Sequence, residues 1–480
     1  MRTFSFNKSK IIATLGPASW SVDTIRALIR AGADVFRINF SHGDGQALAP
    51  IIAAVREAER LEQAAVAILA DVQGPKLRIG KMPSEGVSLV EGELFVITRR
   101  EVPGSDHEAY TPYEFITQDV LPGARVLLAD GTIELICERV EGQDVHCRVI
   151  AGGRLYSNKG LNLPGSRMSV EALTEKDKLD LAYIATADVD VVAISFVRTP
   201  RDMLSARALL GDKKVTVIAK LERPEALDNL EEILDASDGL MVARGDLGVE
   251  MPFEKVPTAQ KRILEMAARK AKWAVVATQM LGSMVLNRRP SRAEVTDVAT
   301  AVSDGADAIM LSEETATGKH PVQAVEAMVR IAREAESHLP DASTERRPDL
   351  ESFAAGAAGA AVNAARTLGA RAIVTLAGSG LTALLVSKWR PNVPVVALST
   401  NSSTLRRLNG LWGTVPVKID DVLDMERQLE EADRFLLAEG WAKPGDTVVS
   451  VAALPLGHKK ETNAIRFHHV RVPGESSGAE

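Results

Sequence analysis

The chain reads as an α/β protein: a closed (β/α)8 TIM barrel, an all-β lid domain inserted into it, and a C-terminal α/β domain. Three observations predict this. Eight near-continuous apolar runs of strand length alternate with segments of helical period. The alternation stops between residues 73 and 169, where short β-like pieces and Gly/Pro-rich turns replace it. A second series of strands and helices begins beyond a polar stretch at 345–349. The expected domains are therefore 1–72 with 170–344 (barrel), 73–169 (lid) and 345–480 (C-terminal domain).

The first three strands are expected at 10–15, 34–40 and 65–72, with helices at 21–31 and 48–63 between them. Ser21 is placed to cap the first helix and Gly32 to end it. After the insertion, strands are expected at 189–196, 215–222, 239–244, 274–280 and 308–311. Helices at 174–185, 201–210, 224–236, 258–272, 291–303 and 321–338 separate and close the set, with Pro224 and Pro321 at first-turn positions. Apolar strands alternating with helices require a parallel sheet covered by helices. Eight units favour closure into a barrel, and an open doubly wound sheet is the alternative. Four more strands are expected in the C-terminal domain, at 372–376, 395–398, 415–417 and 447–451.

Composition narrows the function. The 480 residues are 46% hydrophobic and 25% charged, as in ordinary globular enzymes, and too many for one core. A net charge of −7 argues against general nucleic-acid binding. No run of about 20 apolar residues is present and the N-terminus lacks a signal-like stretch, so neither a membrane span nor export is expected. Cys137 and Cys147 are expected as free thiols in a cytoplasmic protein.

The chemistry gathers where barrel strands end, the usual place for a barrel's active site. Arg37, Asn39, Ser41, Asp71, Lys220, Glu222, Asp246, Thr278 and Ser312 all fall at those ends. Arg37, Asn39 and Ser41 stand at every second residue and so point one way from a strand. Arginine offers a planar donor fork to phosphate. Lys220 and Glu222 share the same spacing, and Asp246 ends the next run. Two carboxylates suit Mg²⁺ or Mn²⁺, and a lysine between them suits an anionic substrate. Taken singly, each stretch also fits an ordinary polar strand end or rim ion pair.

Taken in order, these segments resemble the pyruvate kinase family over nearly the whole chain. The stretches are Lys10-Ile-Ile-Ala-Thr-Leu-Gly-Pro-Ala-Ser19, Arg37-Ile-Asn-Phe-Ser-His-Gly43, Asp71-Val-Gln-Gly-Pro-Lys-Leu-Arg78, Asn158-Lys-Gly-Leu-Asn-Leu-Pro-Gly165, Ile218-Ala-Lys-Leu-Glu222, Met241-Val-Ala-Arg-Gly-Asp-Leu-Gly-Val-Glu250, Ala277-Thr-Gln-Met-Leu281 and Met310-Leu-Ser-Glu-Glu-Thr-Ala316. The resemblance implies phosphoryl transfer from phosphoenolpyruvate to ADP, giving pyruvate and ATP. It implies Lys220 as partner of the phosphoryl group in the transition state, Arg37 as its grip, and Glu222 and Asp246 as Mg²⁺ (or Mn²⁺) ligands. The amides of Gly245 and Asp246 would receive the substrate carboxylate. Thr278 would face the enolate carbon, with Ser312 and Glu314 completing a proton relay. Asn39, Phe40, Ser41, His42, Arg78 and Lys159 would serve the nucleotide. The resemblance further implies a homotetramer.

The chain departs from the family at three points. Most members hold K⁺ with oxygens matching Asn39, Ser41, Asp71 and the carbonyl at Val72, and carry a Glu where this chain has Lys76. An ammonium there would replace the K⁺ charge, so activity without K⁺ is expected; the plainer reading makes Lys76 a solvated hinge charge. The effector loop, Ala377-Gly-Ser379-Gly380-Leu-Thr382-Ala383, lacks the family's first Thr. Ser379, Gly380 and Thr382 remain as a phosphate cradle for a sugar-phosphate or nucleotide effector, with Lys388, Arg390, Lys459 and Lys460 as added charge. The plainer reading is an ordinary strand–helix turn. Glu313 stands where Gly or Ala is usual. The runner-up function is a Mg²⁺-dependent barrel lyase or aldolase acting on pyruvate or phosphoenolpyruvate. A non-catalytic regulator would have lost Lys220 or a metal ligand, and none is lost.

Overall fold

Eight parallel strands close into a barrel in the computed structural model, which describes residues 6–339, 348–376, 378–420, 424–454 and 461–472. In order round the barrel they are Lys10–Thr14, Val35–Asn39, Ala67–Asp71, Val191–Ile194, Thr216–Leu221, Gly239–Ala243, Trp273–Ala277 and Ala308–Leu311. All eight expected strands form. They are buried on both faces, which is why they read as continuous apolar runs. One set of side chains, with Ile12, Val35, Leu69, Ile218, Met241 and Met310, fills the barrel; the other packs beneath the helices.

The helices begin where local chemistry allows. Ser21 caps Val22–Ala31 through its side chain, and Gly32 ends it at φ 111°. Thr174 and Asp177 form a capping box on Glu175–Ile184, and Ser291 with Glu294 forms another on Arg292–Ser303. The expected helix at 224–236 is broken at Asn229 into Glu225–Asp228 and Leu230–Ala236. The helix start expected at Gly245 and Asp246 forms as the short helix Arg244–Glu250, whose extent two glycines obscure in the sequence.

The segment between the third and fourth barrel strands forms a six-stranded sheet ordered Leu161–Asn162, Arg125–Leu128, Ile133–Glu141, Asp144–Ala151, Leu94–Thr98 and Glu108–Tyr110. All its pairings are antiparallel except the last. It buries its own core of Phe95, Ile97, Val126, Leu135 and Val145. Cys137 and Cys147 face each other across two of its strands as free, buried thiols.

Beyond the barrel, Thr414–Lys418, Val395–Ser399, Ile373–Leu376 and Thr447–Ala452 make a parallel sheet, extended by antiparallel Ala464–His469. That fifth strand was missed in the sequence: it is an edge strand, carries two histidines, and leaves Phe467 half exposed. This unit sits under the barrel floor, where the strands begin. Trp273 Nε1 donates to the Gly410 carbonyl at 2.7 Å, and Asn409 Nδ2 donates to the carbonyls of Asp34 and Ala65 at 3.1 and 2.7 Å.

Lys388 and Arg390 correct an expectation. They do not add charge to the effector loop. The helix Leu381–Lys388 carries Lys388 roughly 10 Å away from it, at 1.5 Å per residue. There Lys388 and Arg390 are buried under the barrel, both paired with Asp307, the Arg390 pair at 2.9 Å. Lys459 and Lys460, and residues 345–347 of the expected linker, lie outside the described residues. No described helix is long and apolar enough to cross a membrane. Removing one partner from a buried charge cluster strands the others. Asp307→Ala is therefore expected to cost about 3–5 kcal/mol, read as a lowered urea midpoint; an unchanged midpoint would show that the cluster does not hold the two units together.

Candidate active site

Lys220 lies at the C-terminal end of the fifth barrel strand and points inward. Its Nζ reaches Asp71 Oδ1 at 3.1 Å on the third strand and Glu222 Oε1 at 3.0 Å, and donates to Ser195 Oγ at 2.7 Å. Inward residues of alternate strands share a layer, which brings Asp71 and Lys220 together across the intervening strand. Arg37, on the second strand, donates from Nε to Asp71 Oδ2 at 2.7 Å and from Nη1 to Thr14 Oγ1 at 3.2 Å. One buried carboxylate thus holds two cations. Burial works against its charge, but Lys220 and Arg37 outweigh burial and hold the Asp71 carboxyl below its usual range. Burial likewise opposes the Lys220 ammonium, and Asp71 and Glu222 reverse the balance, so Lys220 keeps its proton.

Glu222 differs. Burial, opposed by Lys220 and reinforced by Asp246 and Asp71, pushes its carboxyl up to about 7. Its Oε2 accepts from the Phe196 amide at 2.7 Å. Asp246 stands near it on the helix Arg244–Glu250, and Lys76 Nζ lies 3.2 Å from Asp246 Oδ1. Glu222 and Asp246 oppose each other's charge, Glu222 in a buried setting, and Asp246 already draws an ammonium, so the donor set fits a divalent cation. Among the described residues no group of three or more His, Cys, Asp and Glu could hold a metal. An ion on Glu222 and Asp246 would complete its shell with water or substrate oxygens, as Mg²⁺ usually does.

The strand ends beside these groups are strained. Phe196, Thr278 and Gln279 have φ of 54°, 75° and 54°. Such backbone costs about 1–3 kcal/mol per residue and clusters at functional sites. Thr278 Oγ1 accepts from the Gly245 amide at 3.2 Å, and a Cβ on Gly245 would come within 2.9 Å of Thr278 Cγ2, so this close approach requires glycine. A cleft of about 700 Å³ opens here, lined by Gly245, Thr278, Gln279, Asp297 and the lid residue Asp130.

Several expected residues sit differently from the sequence reading. Glu314 is no free relay group: its two oxygens accept from the Leu281 and Ser312 amides at 3.0 and 2.7 Å, tying the loop after Thr278 to Ser312. Phe40 is drawn fully into the core, leaving only its backbone at the rim, and its carbonyl accepts from Lys176 at 2.7 Å. Asn39 caps the turn Phe40–His42 by accepting from the Ser41 amide at 3.1 Å, and His42 is exposed. Lys76 pairs with Asp246 and not with Asp71. Asp71 is filled by Arg37 and Lys220, and the Val72 carbonyl takes the Ser195 hydroxyl at 2.7 Å. Arg78 and Lys159 are both exposed on the lid and lie together, because Arg78 bridges to Gly160. Glu313 begins the short helix Glu313–Ala316, and nothing in the structure explains its choice.

At the floor, Ser379 and Gly380 line a separate cleft of about 420 Å³ with Arg207, Lys213, Lys214 and Arg407. Thr382 is turned from it and bonds Thr462 Oγ1 at 2.6 Å. Ala377 lies outside the described residues.

Sequence reasoning missed Ser195, although it is a polar residue at a strand end. It also missed Arg244, whose guanidinium bonds Asp297 at 2.5 Å and the Thr278 carbonyl at 2.8 Å. Only the fold reveals that contact.

Residues 6–325 match the family model described as pyruvate kinase, barrel domain, and residues 356–468 match pyruvate kinase, alpha/beta domain. The chain belongs to the pyruvate kinase family. It is similar to the pyruvate kinases of Mycobacterium tuberculosis (42% identical, over 96% of this chain and 98% of the relative) and Corynebacterium glutamicum (43%, over 96% and 97%). A third relative, the pyruvate kinase of Agrobacterium vitis, is 43% identical over 96% of each chain. Family membership bears out the fold and the kinase reading, and a lyase or aldolase is not favoured.

Because the carboxyl of Glu222 is raised, the metal-free native state holds its proton more tightly than the unfolded chain does. That stabilisation is present below the ordinary glutamate range and is lost as pH rises through about 7. In chelator, the denaturation midpoint of the native sequence should fall relative to Glu222→Gln between pH 5 and 8. Parallel profiles would contradict the shift.

Proposed function

We propose that this pyruvate kinase family member transfers the phosphoryl group of phosphoenolpyruvate to ADP, giving pyruvate and ATP in the last step of glycolysis. One observation supports it above the rest: a buried lysine held charged by Asp71 and Glu222 and oriented by Ser195, beside Arg37, at the open end of the barrel. Phosphoryl transfer asks the protein chiefly for positioning and for stabilisation of charge on the equatorial oxygens. Lys220 and Arg37 bind those oxygens, and Asp71 fixes both donors before substrate arrives. The Asp246 amide receives the substrate carboxylate, together with the Gly245 amide once that amide exchanges Thr278 Oγ1 for substrate. Thr278, locked at positive φ, faces the enolate carbon and delivers the proton through water. Ser312 and Glu314 hold its loop in place.

Three carboxylates and three cations leave the cluster near neutral, while phosphoenolpyruvate is strongly anionic. Glu222 and Asp246 would hold the Mg²⁺ (or Mn²⁺) that supplies the missing positive charge and polarises substrate oxygens. The nucleotide would lie between the turn at Asn39, Phe40, Ser41 and His42 and the lid residues Arg78 and Lys159, with lid closure excluding water. We further propose that K⁺ is not required: of the expected set Asn39, Ser41, Asp71 and Val72, the one charged member, Asp71, is already met by Arg37 and Lys220, and Lys76 adds an ammonium at Asp246. The basic cleft at Ser379 and Gly380 supports a sugar-phosphate or nucleotide effector, with Thr382 supporting the loop. A cytoplasmic homotetramer completes the reading.

Lys220→Met should lower turnover by about 10²–10³-fold or more while Mn²⁺ affinity stays within a few-fold. Undiminished turnover would sink the assigned role. In a lactate-dehydrogenase-coupled assay, replacing a tetraalkylammonium salt by K⁺ should change the rate little; a many-fold rise would refute K⁺ independence.

A further inference from the structure

We propose that the lid sets the geometry of the cation-binding carboxylates through one face of the helix Arg244–Glu250, with Asn162, Glu250 and Arg223 as positioning residues. This rests on the assignment of Glu222 and Asp246 to the divalent cation. Asp246 and Glu250 are four residues apart and therefore lie on the same helical face. Each is bonded to a different part of the insertion. Lys76, on the outgoing connection, lies 3.2 Å from Asp246. Asn162, on the strand that ends the lid sheet, donates from Nδ2 to Glu250 Oε1 at 2.8 Å. The other Glu250 oxygen faces Arg223 Nη1 at 3.3 Å, and Arg223 Nη2 donates to the Ser166 carbonyl on the returning connection at 3.1 Å. Arg223 directly follows Glu222.

Both cation carboxylates thus have a neighbour tied to the lid: Glu222 through Arg223, and Asp246 through Glu250. Asn162, Glu250 and Arg223 are all at least nine-tenths buried. A buried carboxylate that loses a donor bears the cost of its desolvation, so a displacement of Asn162 would disturb Glu250 and the helix that carries it. The connection itself is gripped elsewhere. Arg198 donates to the Met168 and Val170 carbonyls at 2.8 and 2.6 Å. The Asn162–Glu250 bond is therefore a contact of the lid's body with the helix, beyond what the hinge needs. It also lies close in sequence to the nucleotide side. Lys159 and Gly160, the bridge partner of Arg78, precede Asn162 by three and two residues. Engagement of the lid cations by phosphates would move Asn162, and with it the helix that carries Asp246. Coupling of this kind is reciprocal, so a cation at the carboxylates must bias the lid.

The test is Mn²⁺ binding to the substrate-free full chain, followed by electron paramagnetic resonance of free Mn²⁺, with amide exchange of the lid measured with and without Mg²⁺. Asn162→Ala should weaken Mn²⁺ about 5-fold, as expected for loss of one buried hydrogen bond, and should abolish the Mg²⁺-dependent change in exchange at 125–128 and 161–163. The KM for ADP should rise more than that for phosphoenolpyruvate. Glu250→Gln keeps an acceptor for Asn162 but loses the Arg223 ion pair, so it should retain part of the Mn²⁺ affinity. It carries the test if Asn162→Ala does not fold. A merely structural residue would lower thermal stability and leave the Mn²⁺ affinity of the folded protein unchanged, and that result overturns the proposal. Asp246→Asn separates the two readings. If it binds Mn²⁺ as the native chain does, the cation assignment fails; if it does not, and Asn162→Ala does, only the coupling fails.

Discussion

Asp71 is almost wholly removed from water, yet it stays ionised because Arg37 and Lys220 reach it from the strand before it and the strand two beyond. The chemistry of the site depends on that ionic junction. It fixes two flexible cations at one place, at the height of the barrel where the chain turns into loops. Around it lie the features a transferring phosphoryl group needs: Ser195 spanning Lys220 and the Val72 carbonyl, Glu222 awaiting a cation, and Thr278 held in strained backbone against Gly245. Preorganisation of this kind lets charge develop in the transition state without the protein having to rearrange.

The two attached units use opposite ends of the barrel. The C-terminal domain closes the floor through the buried Asp307, Lys388 and Arg390 cluster, at the start of the strand Ala308–Leu311 that leads to Ser312 at the rim. The insertion meets the rim, where Lys76 and Asn162 contact the helix carrying Asp246. The rim contacts are mixed in exposure, while the floor cluster is fully buried. A rigid base with a more accessible upper contact suits an enzyme that must admit two substrates and then exclude water.

Much of this was legible in the sequence, for physical reasons. Strands buried on both faces cannot hide their composition, so all eight barrel strands and their polar ends stood out. A period of two placed Lys220 with Glu222 and Arg37 with Asn39. What stayed hidden depends on three-dimensional company. Arg244 finds Asp297 and the Thr278 carbonyl only after the barrel closes, and Lys176 secures the Phe40 turn from a distant helix. Lys388 and Arg390 looked like added charge for the effector loop because sequence does not show that Asp307 lies opposite them. Glu314 looked like a proton carrier because its two amide partners lie in the folded loops. The extent of the helix Arg244–Glu250, expected only as a helix start at Gly245 and Asp246, was hidden by its glycines, one of which is needed for close approach to Thr278.

The claim that this junction serves phosphoryl transfer, and not cleavage of a carbon–carbon or carbon–oxygen bond, is tested most directly by product stoichiometry. The enzyme is incubated with phosphoenolpyruvate and Mg²⁺, with and without ADP, and pyruvate and ATP are quantified together. The account predicts equal amounts of pyruvate and ATP when ADP is present and no pyruvate when it is absent. Pyruvate released without ADP would contradict it.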